Sequence, residues 1–252
     1  MLSAERKLKI AEIVTKNGGT KTSELSNIFN VSEMTVLRDL ALLEKQGILK
    51  RVYGGAVLAR DASGEISSMF REKIHTFEKN IIAQKAVQFI KEGDRIFLDA
   101  STTSLALAKR LYAKKNVIVV TNGLDVINEI RKNDYIKLIC PGGEFRSVTM
   151  SFVGNVAEAF LKNFYTDKAF ISSAGISIKA GATEPNILQA SIKKIMIENS
   201  NQNILLIDWS KFDKITLNKV CPLYDINTII TDKEPGSNYL EFFKKNNIKI
   251  LY

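Results

Sequence analysis

Several short stretches place side chains at spacings that could do chemistry. In FLDASTTSLALAKRL, Asp99 closes an apolar run and the hydroxyls of Ser101, Thr102 and Thr103 follow it. Hydroxyls and free backbone N–H groups at a helix N-terminus make an anion site. TNG contributes Thr121 and Asn122, CPGG contributes Gly142 and Gly143, SSAGI contributes Gly175, and IDWSKF contributes Asp208 and Lys211. With Glu184 added, the acids and Lys211 could serve an isomerase. One would remove a proton beside a carbonyl, and a cation would steady the enediolate. The same groups could hold a phosphorylated ligand without turning it over.

The elements around these residues decide whether they meet. Helix-like EKNIIAQKAVQFIKEG precedes the strand RIFLD, TSLALAKRLYAKK precedes NVIVVT, and LDVINEIRKN precedes IKLICPGG. The alternation continues through DKAFISSAGI, NILLID and IKILY. Short apolar strands separated by helices imply an open, mostly parallel sheet covered by helices on both faces, an α/β fold of Rossmann-like kind. Ligands bind such sheets at the carboxyl ends of the strands, and the polar and glycine residues named above all fall there.

The first 58 residues have a different pattern. Ser3 is placed to cap a helix carrying Ile10, Ile13 and Val14, which stops at Asn17-Gly18-Gly19. Thr22 or Ser23 opens a second helix burying Leu25, Ile28 and Phe29, and Ser32 caps a third. At 100° per residue, Val36, Leu40 and Leu43 share one side of that helix. Met34, Arg38, Ala41 and Lys45 share the other, with Thr35 and Leu42 at its margin. A helix of this size fits the major groove, where arginine binds guanine bidentately. The hairpin signal ILKRVYGGAVL then forms a wing. Lys50, Arg51 and Tyr53 reach for a phosphate or the minor groove there, and Gly54-Gly55 supplies the turn. Residues 59–77 are polar and weakly periodic, a linker by composition.

The totals agree with two domains. The chain has 252 residues and a net charge of +9, with ten Lys/Arg against six acids in residues 1–60. That charge favours a polyanion as partner. No apolar run approaches the roughly 20 residues of a membrane span, and MLSAERKLKI lacks a signal-peptide core, so a cytoplasmic protein is expected. Cys140 and Cys221 stand apart, without a CxxC or Cys/His cluster, and read as reduced core residues. The lone His75 has no second ligand nearby, so neither a metal site nor a cofactor is expected.

The N-terminal spacing resembles the DeoR-type repressor signature. Arg6, Ile10, Val14, Ser32, Thr35, Val36, Arg38, Asp39 and Leu40 carry the likeness, and LEKQGILKRVYGGA continues it into the wing. Leu37 departs from it, standing where that family typically has a basic residue. Asp39, an acid that a duplex would repel, reads as a structural residue, pairing or capping within the domain. DASTTSLALA, TNG, PGGEFRSVTMSFVG, DKAFISSAGIS and DWSKF resemble the effector-binding half of the same family, related in fold to sugar-phosphate isomerases. The resemblance implies a phosphorylated sugar effector, with Ser101, Thr102 and Thr103 on the phosphate and Lys211 adding positive charge. Ser101 replaces a frequent glycine, and Gln189-Ala190 stands where Glu-Ala is common.

These readings lead to specific expectations. A winged helix-turn-helix spans 1–58, a linker 59–77, and a sugar-phosphate-sensing, oligomerising domain 78–252. The DNA contacts are Thr22, Ser32, Met34, Thr35, Arg38, Lys45, Lys50, Arg51, Tyr53, Gly54 and Gly55. The expected function is a non-enzymatic repressor of a carbohydrate operon, bound as a dimer or tetramer to operator DNA. A sugar-phosphate isomerase with a helical N-terminal extension is the alternative, and a basic-headed RNA-binding protein a weaker one.

Overall fold

The computed structural model describes residues 1–45, 47–59 and 65–252, with Thr15 and Lys16 described by their backbone only. The chain divides into two compact units, Met1–Ile74 and His75–Tyr252.

The first unit contains α1 (Ser3–Asn17), β1 (Gly19–Lys21), α2 (Thr22–Phe29), α3 (Glu33–Lys45), β2 (Leu49–Val52), β3 (Gly55–Leu58) and α4 (Ser68–Lys73). Its core gathers Ile10 and Val14 from α1, Leu25 from α2, and Val36, Leu40 and Leu43 from α3, as the helical spacing predicts. Ile28 is more than half exposed and does not join it. Ser3 does not cap α1; its hydroxyl turns toward Asp39 Oδ1 at 3.5 Å. The sheet has three antiparallel strands in the order β1-β3-β2. The sequence reading lacked β1, because three residues are too few for an alternation to register.

Gly54 and Gly55 are needed for different reasons. Gly54 sits in the hairpin loop at φ 75°, a conformation that side chains with a β-carbon resist. A β-carbon on Gly55 would lie 2.2 Å from the Thr20 carbonyl oxygen, so β1 can approach β3 only over a glycine.

The 59–77 stretch is not uniformly a linker. Ser67 caps α4 by accepting the Phe70 N–H at 3.3 Å, and Phe70 and Ile74 enter the first core. Two apolar residues four apart make one helical turn, which a polar average conceals. The first compact unit therefore extends past residue 58 to Ile74. Residues 60–64 of the expected linker lie outside the described residues.

The second unit contains α5 (Thr76–Ala86), β4 (Arg95–Leu98), α6 (Thr102–Ala108), β5 (Val117–Thr121), α7 (Leu124–Ile130), β6 (Ile136–Ile139), β7 (Glu144–Arg146), β8 (Ser151–Val153) and α8 (Gly154–Leu161). It continues with β9 (Thr166–Ile171), β10 (Gly175–Ser177), β11 (Gly181–Glu184), α9 (Ile187–Glu198), β12 (Ser200–Leu206), β13 (Asn218–Cys221), β14 (Thr228–Ile230), α10 (Ser237–Lys245) and β15 (Lys249–Leu251). Seven parallel strands run in the order β15-β14-β12-β9-β4-β5-β6. Successive strand residues feed opposite faces. Ile96 and Leu98 pack with α5, α6 and α7, while Phe97 packs with α8, α9 and α10. Both faces are covered, so the strands are apolar where they pass through the core, as at residues 169–171 of β9 and 204–206 of β12. The chain leaves β4 toward β5 and β6, then returns to β9 on its other side, and β4/β9 is the topological switch point.

Two antiparallel pieces flank this sheet: the β7–β8 pair and the three-stranded β10-β11-β13. Cys221 is buried, and desolvation pushes its thiol up to about 12. Cys140 is exposed, contrary to the core position expected for it. Among the described residues, no helix is long and apolar enough to cross a membrane.

In the first unit, Asp39 pairs with Arg6 (Nε to Oδ2, 2.6 Å), and both are buried. Asp39→Ala strands a buried guanidinium and should destabilise this unit by about 3 kcal/mol. Hydrogen exchange should show the loss in amides of residues 1–74 and leave the second unit's protection unchanged.

Candidate functional site

The exposed side of α3 is built by its buried side. Val36, Asp39, Leu40 and Leu43 point inward, which leaves Met34, Leu37, Arg38, Leu42 and Lys45 exposed. Ser32 starts the helix: its Oγ accepts the Thr35 N–H at 3.2 Å and lies 3.0 Å from Thr35 Oγ1. Arg38 makes no ion pair or hydrogen bond among the described residues and stands in solvent. The wing presents Lys50, Arg51 and a fully exposed Tyr53.

Two features of this surface differ from the sequence reading. Arg51 is not free: its Nε donates to Glu44 Oε2 at 2.6 Å and its backbone N–H donates to Oε1 at 2.8 Å. These bonds hold the Glu44 carboxyl below its usual range and fasten the wing to α3. The pair is seven residues apart across a turn, a spacing that no periodicity marks. Thr22 is 5% exposed, with its hydroxyl shut from solvent and its N–H donated to the Gly54 carbonyl at 2.8 Å. It supports the wing from beneath and is removed from the DNA-contact set.

In the second unit the polar residues converge on the switch point. Asp99, directly after β4, is fully buried. Its Oδ1 accepts from Ser101 N at 3.1 Å, Ser101 Oγ at 2.6 Å and Ser104 Oγ at 2.6 Å. Its Oδ2 accepts from Ser172 N at 3.0 Å, just past β9, and lies 3.2 Å from Lys193 Nζ. Lys193 also pairs with Glu184 Oε1 at the end of β11 and donates to the Ser172 carbonyl at 2.7 Å. Ser101 occupies the Ser104 and Leu105 N–H groups, at 3.0 and 2.9 Å. Among the described residues, the N–H groups of Thr102 and Thr103 are then the donors of the first turn of α6 that no backbone carbonyl takes up.

The neighbouring loop joins this cluster. Gly123 packs on Ala100 so tightly that a β-carbon would lie 2.8 Å from the Ala100 Cα. Thr121 Oγ1 accepts the Gly123 N–H at 3.1 Å, and Asn122 Nδ2 donates to the Phe152 carbonyl at 3.0 Å. Among the described residues, Asn122 Oδ1 is buried without a hydrogen-bond partner. Gln189, one turn before Lys193 on α9, donates to Thr149 Oγ1 at 2.9 Å and Ser151 Oγ at 2.7 Å. The structure therefore brings Asp99, Ser101, Thr102, Thr103, Thr121, Asn122 and Glu184 together.

The remaining residues are placed less directly. Asp208 Oδ1 accepts from the N–H and the hydroxyl of Ser210, capping the short turn that carries half-buried Lys211. That loop runs on to Phe212, which bridges Ile176, and to Thr216, whose N–H donates to Thr183 Oγ1 at 3.0 Å. Gly175 permits the approach, since a β-carbon there would meet the Lys214 carbonyl at 2.4 Å. Gly143, at φ 127°, leaves room for the Val153 carbonyl and is a residue of the fold. Gly142 is exposed with open space around it, and no contact among the described residues ties it to the cluster.

The sequence reading missed Lys193. Its signal was a charge in the apolar phase of a helix: Gln189, Ile192, Lys193 and Met196 all face inward on α9.

Residues 6–62 match the model of the DeoR-like helix-turn-helix domain, and residues 74–233 match that of the DeoR C terminal sensor domain. YulB, an HTH-type transcriptional regulator of Bacillus subtilis, is 40% identical over 239 residues, covering 94% of this chain and 92% of that protein. A putative aga operon transcriptional repressor of Escherichia coli O157:H7 is 31% identical over 251 residues, covering 99% and 93%. The lactose phosphotransferase system repressor of Staphylococcus epidermidis is 34% identical over 244 residues, covering 92% and 96%.

Lys193→Met leaves Asp99 and Glu184 buried and facing one another without a cation. Chemical denaturation should show the second unit destabilised by about 3–5 kcal/mol, the scale of a broken buried ion pair. A loss within the range of a surface change would show that the cluster does not hold these elements together.

Proposed function

The chain belongs to the DeoR family of transcriptional regulators, and from that premise we propose that it represses a carbohydrate-utilisation operon under the control of a phosphorylated sugar. The family assignment itself carries DNA binding through the helix-turn-helix and a small-molecule ligand in the sensor domain. The finer reading rests on one observation above others. The open donors of α6, the unpartnered Asn122 acceptor and the buried Lys193 cluster meet at the switch point of an open parallel sheet.

The phosphate sits on the N–H and hydroxyl groups of Thr102 and Thr103, and Lys211 supplies charge from the loop after β12. Sugar hydroxyls satisfy Asn122 Oδ1, a buried acceptor whose vacancy costs about 1–3 kcal/mol. The names of relatives support the sugar class, one being a lactose phosphotransferase system repressor. Turnover is disfavoured by the carboxylates themselves. Asp99 already accepts from four hydrogen-bond donors and pairs with Lys193, and Glu184 pairs with the same lysine. Neither is free to take a proton from a substrate.

On the DNA side, Arg38 reads a base and Lys45, Lys50 and Arg51 meet phosphates, with Ser32 and Thr35 at the helix start. Leu37, with Met34 and Leu42, makes the exposed side of α3 partly apolar, suited to thymine methyl groups rather than a further phosphate. Two copies of the chain read a pseudo-palindromic operator, half-sites one helical turn of about 34–36 Å apart.

Two variants test this reading on the duplex that the protein retains from a random-sequence pool. Arg38→Ala loses about 1–3 kcal/mol at a single base pair in a competition assay. Equal loss on every sequence would make Arg38 a phosphate contact instead. Thr102→Val keeps duplex binding but no longer releases the duplex when sugar monophosphates are added, and an unchanged release would remove Thr102 from the ligand site.

A further inference from the structure

The chain has one tryptophan and one histidine, and they touch. Trp209 follows Asp208 in the loop after β12, and His75 opens the second unit. Their rings meet edge-on, with centroids 6.1 Å apart at 83°. Lys233 Nζ lies 4.5 Å from the centre of the indole, and the Trp209 backbone N–H donates to Asp232 Oδ1 at 2.8 Å. Trp209 is nonetheless 46% exposed. Removing its ring takes little from the core, so the fold does not explain the arrangement.

His75 is placed where a small change would propagate. The preceding residue, Ile74, is extended and belongs to the first unit's core, and the following residue begins α5. His75 itself is left-handed, φ 51° and ψ 37°, between these two helices. A non-glycine residue in that conformation is strained and persists where its surroundings hold it. The Lys79 N–H donates to the His75 carbonyl at 3.0 Å, and the His75 side chain is held by the Trp209 ring and by Glu78 Oε1, 3.7 Å from Nδ1. Element-terminal positions of this type absorb the backbone change in hinge motions.

We propose that Trp209 is a positioning residue that carries ligand occupancy from the loop after β12 to the His75 hinge, and so to the segment leading into the DNA-binding unit. The inference rests on the reading that this loop, through Asp208 and Lys211, belongs to the effector site. Ligand drawing on Lys211 shifts the turn at 209–211. The indole moves with it, and the left-handed conformer of His75 loses or gains its support.

The test uses full-length protein, the duplex it retains from a random pool, and a mixture of aldose and ketose monophosphates. In the wild type the mixture weakens duplex binding about 5–150-fold, the range of allosteric coupling, and shifts the emission of the sole tryptophan. Trp209→Leu keeps its duplex affinity and its heat of sugar-phosphate binding, but release falls to under about twofold, below the coupling range. Trp209→Phe, which retains an aromatic edge for His75, restores release. Wild-type release in Trp209→Leu would overturn the inference and leave the ligand site standing. Absence of any binding heat in the wild type would instead sink the ligand reading, and the inference with it.

Discussion

Taking an ammonium out of water costs several kcal/mol, and a lysine remains charged in a protein interior only where oxygens replace its hydration. Lys193 has those oxygens, from Glu184, Asp99 and the Ser172 carbonyl, and each comes from a different place in the chain. Asp99 lies at the end of the central strand β4, Ser172 at the end of β9 and Glu184 at the end of β11. One side chain on α9 thus fixes the carboxyl edge of the sheet against the small antiparallel sheet. Asp99 then uses its other oxygen to orient Ser101 and Ser104, which set the first turn of α6. The open donors of that turn point where they do because the ion cluster is satisfied.

The first unit applies the same device on a smaller scale. Arg6 on α1 and Asp39 on α3 neutralise each other inside the core, and that contact sets the rotation of α3 about its axis. With Val36, Asp39, Leu40 and Leu43 all held inward, Arg38 falls on the exposed side. The exposed Arg51–Glu44 pair works differently. Exposed ion pairs contribute about 0–1 kcal/mol, so this one fixes the direction of the wing more than it stabilises the domain.

Much of this was legible from residue order alone. Helical spacing identified Val36, Leu40 and Leu43 as core and Arg38 and Lys45 as surface, because one periodicity decides both. Parallel strands announced themselves by apolar runs alternating with helices, and their ends located the polar cluster. The failures share a physical origin. Glu44–Arg51 and Lys193–Asp99–Glu184 are tertiary pairings, and no local period encodes which charges meet across a fold. Phe70 and Ile74 sat in a polar segment where composition outweighed two well-spaced apolar residues. Thr22 reads as a DNA contact from its place at a helix start, whereas its hydrogen bond to the Gly54 carbonyl draws it under the wing and buries it.

The saturation of Asp99 also bears on what such a site can do. A general base needs a lone pair directed at the substrate and a position near the reacting carbon. A carboxylate committed to two hydroxyls, two backbone N–H groups and an ammonium has neither. The same commitments favour binding, since donors held in place by buried charges lose little entropy when a ligand arrives. A sensor needs one property more, a ligand affinity that differs between two conformations of the chain. Rigidity at β4 and α6 cannot supply that difference. It must come from groups less tightly held, and the loop after β12, anchored by Asp208 but carrying a half-exposed indole, has fewer such commitments.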